Sequence, residues 1–359
     1  MHEVVMERPA IDVAPLRLGR TLWAFAIIYG LGIVTCYIVN MIVQAAPIGP
    51  WATPKDIATN YWLDNVTWQL MSLWFAVLSG VSSGFPFQRI ENSMTRGVCV
   101  SATSWVIGWF AAKGIYWAGL GADWVFPIVG CAFFFLAFFA FIGESWIVAG
   151  MPPQRRFFIL FTLVTFLTYA VTNSSIRWIP AWWFPFIEVG LASGLLSYYT
   201  RGMTQPGKAF VSAGLLFVAM LVFLWGCHQL RYWDPTQPGV GAFWTIGTYA
   251  NPTWLLWFLI SCSVTHAMVA QAYGWPFSHV PQPWGGLLAL AGTFLVTTLL
   301  TKLLLSLVGT VFTDVNEAMT YGYMPTHWSF VMAAVFGFGA DLPYLWRGQK
   351  TPGTWDDVA

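Results

Sequence analysis

Apolar residues run in stretches of about twenty along most of the chain, separated by short turns in which the Pro, Gly and charged residues collect. A helix rises about 1.5 Å per residue, so roughly 20 apolar residues cover the roughly 30 Å hydrocarbon layer of a bilayer. On that criterion the pattern predicts helices at 22–46, 67–84, 97–120, 124–150, 157–171, 181–199, 209–227, 254–273, 285–309 and 328–340. The fold class expected is all-α: a polytopic integral membrane protein with about ten transmembrane helices. The first run exceeds the roughly 7–15-residue core of a signal peptide and has no clean small-residue cleavage site, so it is read as a span.

The runs also repeat. The stretch from Asn65 to Tyr116 is an apolar helix, a turn holding Gly84-Phe85-Pro86-Phe87 with Arg89, Glu91 and Arg96, and a second apolar helix. Pro252 to Leu307 gives the same plan, with Gly274-Trp275-Pro276-Phe277 in the turn and Lys302 about where Lys113 lies in the first copy. Trp- and Pro-rich helix starts recur at Asn65–Trp68, Asp123–Pro127, Pro180–Pro185, Asn251–Trp254 and Pro325–Trp328. The expectation is a set of parallel helical hairpins entering from one side. Asn65 or Thr67 is expected to cap a helix N-terminus.

Composition agrees with a lipid setting. The 359 residues are 57% hydrophobic and only 9% charged, far below the roughly 25% of a water-soluble domain. A net charge of +1 without a basic face gives no reason to expect nucleic acid. The five cysteines stand singly in apolar runs, without metal-site spacing, and are read as buried thiols.

Charge then orients the spans, because Lys and Arg near span ends collect on the cytoplasmic side. With ten spans and a cytoplasmic N-terminus, the inner segments hold Arg8, Arg17, Arg20, Arg89, Arg96, Arg155, Arg156, Arg201, Lys208, Arg347 and Lys350. The outer segments hold Lys55, Arg177 and Arg231. Both termini are therefore expected in the cytoplasm: a segment 1–20, a transmembrane domain 21–346 and a tail 347–359, in the inner (cytoplasmic) membrane. The longest loops are expected outside, at 47–65, 228–252 and 310–326.

Ionisable residues within spans are the candidate chemistry, since a charge at the bilayer centre costs about 2.5–3.5 kcal/mol or more and tends to face a cavity or a partner. Glu188, in the outer half of the sixth run, is read as a pathway or pairing residue. Glu144 is either the same or an interfacial carboxylate paired with Arg155 or Arg156. Lys113 and Lys302 either snorkel to the headgroups or pair with Glu188. His266, near mid-membrane, is an interhelical hydrogen bond, a proton relay or a ligand contact. Trp182 and Trp183 belong to an interfacial belt or stack on a ligand one turn from Glu188.

Other chemistry lacks its residues. The isolated histidines cannot supply the clusters of a di-iron site, and the sequence points to no particular cofactor. A metal site from His228, Asp314, Glu317 and His327 has no supporting spacing, so none is expected. Expected instead is a permease or channel for a small organic solute, with aromatic or cationic solutes favoured by the Trp content. The alternative is a membrane-embedded enzyme, or the membrane subunit of a larger complex, acting on a hydrophobic or lipid substrate. The partners expected are the lipid bilayer and the solute, with a homo-oligomer or partner subunits as a further option.

Overall fold

The computed structural model describes residues 18–49, 54–118, 134–143, 145–175, 203–215 and 284–333. It also describes positions 128, 131, 132, 218, 256, 257, 260, 261, 263, 264, 277, 280 and 281. The fold is all-helical, and among the described residues the only β feature is one isolated bridge in a turn. In chain order the long helices among the described residues are α1 (Leu18–Ala45), α2 (Pro54–Val81), α3 (Ser93–Trp117), α4 (Pro153–Ser175) and α5 (Trp284–Ser306). A last rod, α6, joins an α-helical turn Val315–Glu317, a π-helical stretch Ala318–Tyr323 and an α-helix Met324–Ala333. Between α3 and α4 lie a π-helical segment, Ala137–Ile142, and a 3-10 turn, Trp146–Val148.

Among the described residues, four helices are long and apolar enough to cross a membrane: Ala26–Ala45, Thr95–Trp117, Pro153–Ser174 and Trp284–Ser306. Their outward faces are apolar, with Met41 62%, Val106 57%, Phe166 65% and Leu295 58% exposed. The interior is correspondingly polar in places: Asn40, Asn65, Gln69, Ser72 and His327 are all buried. A water-soluble domain distributes these groups the other way round. The arrangement suits hydrocarbon outside and side-chain hydrogen bonds inside.

α2 is the most buried of the long helices. From Asp64 to Ser82 every side chain is buried except the partly exposed Trp74 and Phe75. It packs on α3 along its length and also meets α1, α4, α6 and the first π-helical segment. Its buried polar positions lower its hydropathy, which is why it is absent from the four apolar helices although it is more buried than any of them. At its C-terminal end Arg156 of α4, itself buried, donates to Val81 O at 3.0 Å and to Met151 O at 3.2 Å. That places a cation on the carbonyl end of α2, where the helix dipole favours it. The Phe85 ring of the following turn packs on Phe157 and Phe158 at 5.3 and 5.8 Å.

Two expected outer loops are corrected. Residues 47–65 were expected as a loop, but α2 begins at Pro54, a residue whose missing N–H costs nothing in a first turn. Residues 310–326 were expected as another, but a tight turn closes on Leu307 O and α6 starts at Val315. Asp314 caps that start, accepting from the Glu317 N–H at 2.8 Å, while the Glu317 carboxylate accepts from the Thr313 N–H and from its hydroxyl at 2.7 Å. This reciprocal capping is what a polar stretch needs to begin a helix outside the apolar layer. Hydropathy cannot see it. As a result Asn65 and Trp68 lie well inside α2, and His327 and Trp328 well inside α6, so Asn65 and Thr67 cap no helix.

Small residues set the distances between helices. A Cβ on Gly32 of α1 would sit 2.6 Å from Pro325 O and 2.8 Å from Ser329 N of α6. One on Gly108 of α3 would sit 2.6 Å from Ser72 N of α2. Both neighbours are backbone atoms, which cannot yield by rotating a side chain. Gly32→Ala and Gly108→Ala are therefore expected to destabilise the protein in detergent by about 1–3 kcal/mol each, by overpacking. Gly30→Ala, with open space around the added methyl, serves as the control and should be close to neutral in the same thermal unfolding measurement.

The α6 cap also gives a pH dependence. The Thr313 hydroxyl and N–H hold the Glu317 carboxyl below its ordinary value of 4.5. Between the lowered folded value and the ordinary unfolded one, the unfolded chain binds more protons, so stability rises with pH across that window. The contribution is complete above about pH 4.5 and is lost as pH falls through the folded value. Unfolding followed from pH 6 to about pH 3 should show a shallower loss for Glu317→Gln than for the parent protein. Identical slopes would mean that the carboxylate does not contribute.

Candidate functional site

The best-defined polar site lies where α1, α2 and α6 meet. Asn65 and Gln69 stand one turn apart on α2 and so project from one face. The Asn65 amide donates to Asn40 Oδ1 of α1 at 2.6 Å and to Cys36 Sγ at 3.5 Å. Its own oxygen accepts from the Trp328 indole N–H of α6. The Cys36 thiol donates in turn to Thr320 O, at 3.5 Å, in the π-helical part of α6. One carboxamide thereby ties three helices together.

Gln69 makes the neighbouring connection. Its Nε2 donates to the backbone carbonyl of His327 at 3.1 Å, and its Oε1 lies 2.9 Å from His327 Nδ1. A carbonyl can only accept, so the amide nitrogen must face it and the amide oxygen must face the ring. Nδ1 is then the protonated ring nitrogen, and the neutral imidazole carries its lone pair on Nε2. The ring packs on Tyr323 at 4.8 Å and on Phe330 at 5.2 Å.

A hydroxyl cluster extends the site towards the 256–264 segment. Ser263 Oγ donates to the Tyr323 hydroxyl at 3.0 Å and lies 3.1 Å from Thr326 Oγ1. Thr326 Oγ1 also approaches Tyr323 O, at 2.7 Å. On the other side a set of indoles closes the site. Trp68 and Trp105 meet Trp328 edge-on at 6.2 and 5.6 Å, and the Trp68 N–H donates to Trp105 O at 2.8 Å. Amide, imidazole, hydroxyl and indole groups are thus gathered in one apolar-walled region. They can hydrogen-bond and stack, and none among them is a nucleophile poised beside a base.

Above this site, the Asp64 carboxylate holds the α1–α2 connection, accepting from Ile48 N at 3.0 Å and Gly49 N at 3.1 Å. Lys113 is brought to the same connection. Its ammonium donates to Pro47 O and lies 5.7 Å from the Trp109 ring centroid. Lys302 is exposed on α5, and nothing described brings it to Lys113. Glu188, Glu144, His266, Trp182 and Trp183 lie outside the described residues. Of the residues weighed for a metal, His228 also lies outside them. His327 is in the core against Gln69, whereas Asp314 and Glu317 are engaged in the α6 cap. No group of three metal-ligating side chains occurs among the described residues.

Asn40, Asn65, Gln69 and His327 are functional candidates that the sequence reading passed over. A signal was present: Asn65, Gln69, Ser72 and Ser79 fall on one helical face of an otherwise apolar run. Neutral amides carry neither the charge that marks an intramembrane ion nor the ring that marks a stacking partner. His327 belongs to the Pro325–Trp328 motif read as an outward-facing helix start. Comparison with known proteins adds no assignment, since no protein-family model, curated protein or solved structure matches the chain.

Proposed function

We propose that the chain is a multi-pass protein of the cytoplasmic membrane, with about ten spans in repeated hairpins and both termini inside, and that it is a permease for a small organic solute. The observation that supports this best is the polar site at α1, α2 and α6, joined through Ser263 to the 256–264 segment, inside a protein whose outer faces are apolar. Polar groups within a bilayer carry a cost of desolvation, and a solute pathway is a common reason for gathering them. Neutral donors and acceptors beside the rings of Trp68, Trp105 and Trp328 suit a solute with hydrogen-bonding groups and an aromatic or cationic part.

The test is uptake by proteoliposomes of a panel of small aromatic solutes and organic cations. Uptake above protein-free vesicles is expected for at least one class. Ser263→Ala keeps the helices in place but removes the hydroxyl that joins two elements, and it should lower that uptake about tenfold, the effect of losing roughly 1.4 kcal/mol of binding. Absence of uptake across the panel, with a second chain or a chromophore co-purifying, would replace the permease by the subunit of a membrane enzyme.

A further inference from the structure

His327 differs from the amides and indoles of the site in that its imidazole can bind a second proton. Its side chain is 2% exposed, and both bonds from Gln69 fix the Nδ1–H tautomer. The atom that takes a further proton is therefore Nε2: its lone pair forms the new N–H bond, Nδ1–H stays on Gln69 Oε1, and no bond breaks. The imidazolium so formed has a neutral acceptor already in place. Two aromatic rings, Tyr323 at 4.8 Å and Phe330 at 5.2 Å, border the imidazole.

Several ionisable groups of the neighbouring helices, among the described residues, have partners away from the ring. On α1, the Tyr29 hydroxyl bonds with Ser329 and the Cys36 thiol donates to Thr320 O. On α2, Asp64 accepts from the Ile48 and Gly49 N–H groups. On α3, Lys113 donates to Pro47 O. On α5, Lys302 is exposed, and on α6 itself Tyr323 accepts from Ser263. The ring also sits one turn beyond the π-helical stretch Ala318–Tyr323, a backbone form often found at functional positions.

We infer that His327 is an interior proton-binding site, taking its proton on Nε2, and that this proton is the coupling ion of the permease. The site stands on the geometry of the ring, whereas the coupling rests on the transport reading above. The first measurement uses the full-length protein labelled with 15N and 13C at its five histidines. At about pH 8 one imidazole should show the Nδ1–H pattern, be missing in His327→Asn, and become doubly protonated as the pH is lowered to about 5. Asn is chosen because its amide can still donate to Gln69. The second measurement is solute uptake under an imposed pH gradient, expected to rise at least tenfold in the parent protein and to lose that response in His327→Asn.

A His327 signal that stays neutral down to about pH 5, or a variant that keeps the full gradient response, overturns the inference. The parent protein's spectrum decides the first point even if the variant fails to fold. Titration without uptake of any solute would keep the proton site, overturn its coupling role and remove the transport reading.

Discussion

Two carboxamides one turn apart on α2, Asn65 and Gln69, govern how α1, α2 and α6 can pack. In an apolar surround an unbonded amide costs several kcal/mol, so each must be answered by a neighbouring helix at a fixed height and rotation. Asn65 is answered by Asn40, Cys36 and Trp328, and Gln69 by the backbone and ring of His327. Sliding α6 by one turn would break both sets together. Van der Waals packing alone fixes no such register, because lipid tails are as apolar as the side chains they would replace.

The rest of the described structure makes those bonds reachable. Gly32 lets α6 approach α1 to backbone contact, and Gly108 does the same for α3 against Ser72. Arg156 satisfies the carbonyl end of α2, while Asp64 and Lys113 pin the connection at the other side. The reciprocal cap at Asp314 starts α6 early enough for His327 and Trp328 to lie a few turns into it, level with α2. A band of polar positions is therefore buried within the apolar core while further apolar side chains face outward, and the same constraint gathers the only described imidazole into the interior.

The helices were legible because hydropathy reports length and solvent: the runs at 22–46, 97–120, 157–171 and 285–309 correspond to α1, α3, α4 and α5 within a few residues at most ends. Helix starts outside the apolar layer were not legible, since the sequence 54–64 is polar and its helicity comes from continuation of α2. The Asn65–Trp68 and Pro325–Trp328 motifs resembled interfacial starts because Asn, Thr, Pro and Trp favour interfaces on average. Tertiary partners decide otherwise here: Trp68 and Trp328 are in the core. Lys113 was recognisable as a deep cation, but its acceptor is a backbone carbonyl 66 residues away, which no side-chain pattern encodes. The amide seam needed a search for neutral polar residues at helical spacing.

A double-mutant cycle between Gln69 and His327 tests the seam most directly. Gln69→Leu, His327→Leu and the double variant would be compared by equilibrium unfolding of the full chain in bicelles. The bonded α2–α6 contact predicts a coupling of about 0.6–1.7 kcal/mol, the double variant losing less than the sum of the singles. Strictly additive losses would mean that the two side chains do not hold each other, and that the packing of α2 against α6 has another cause.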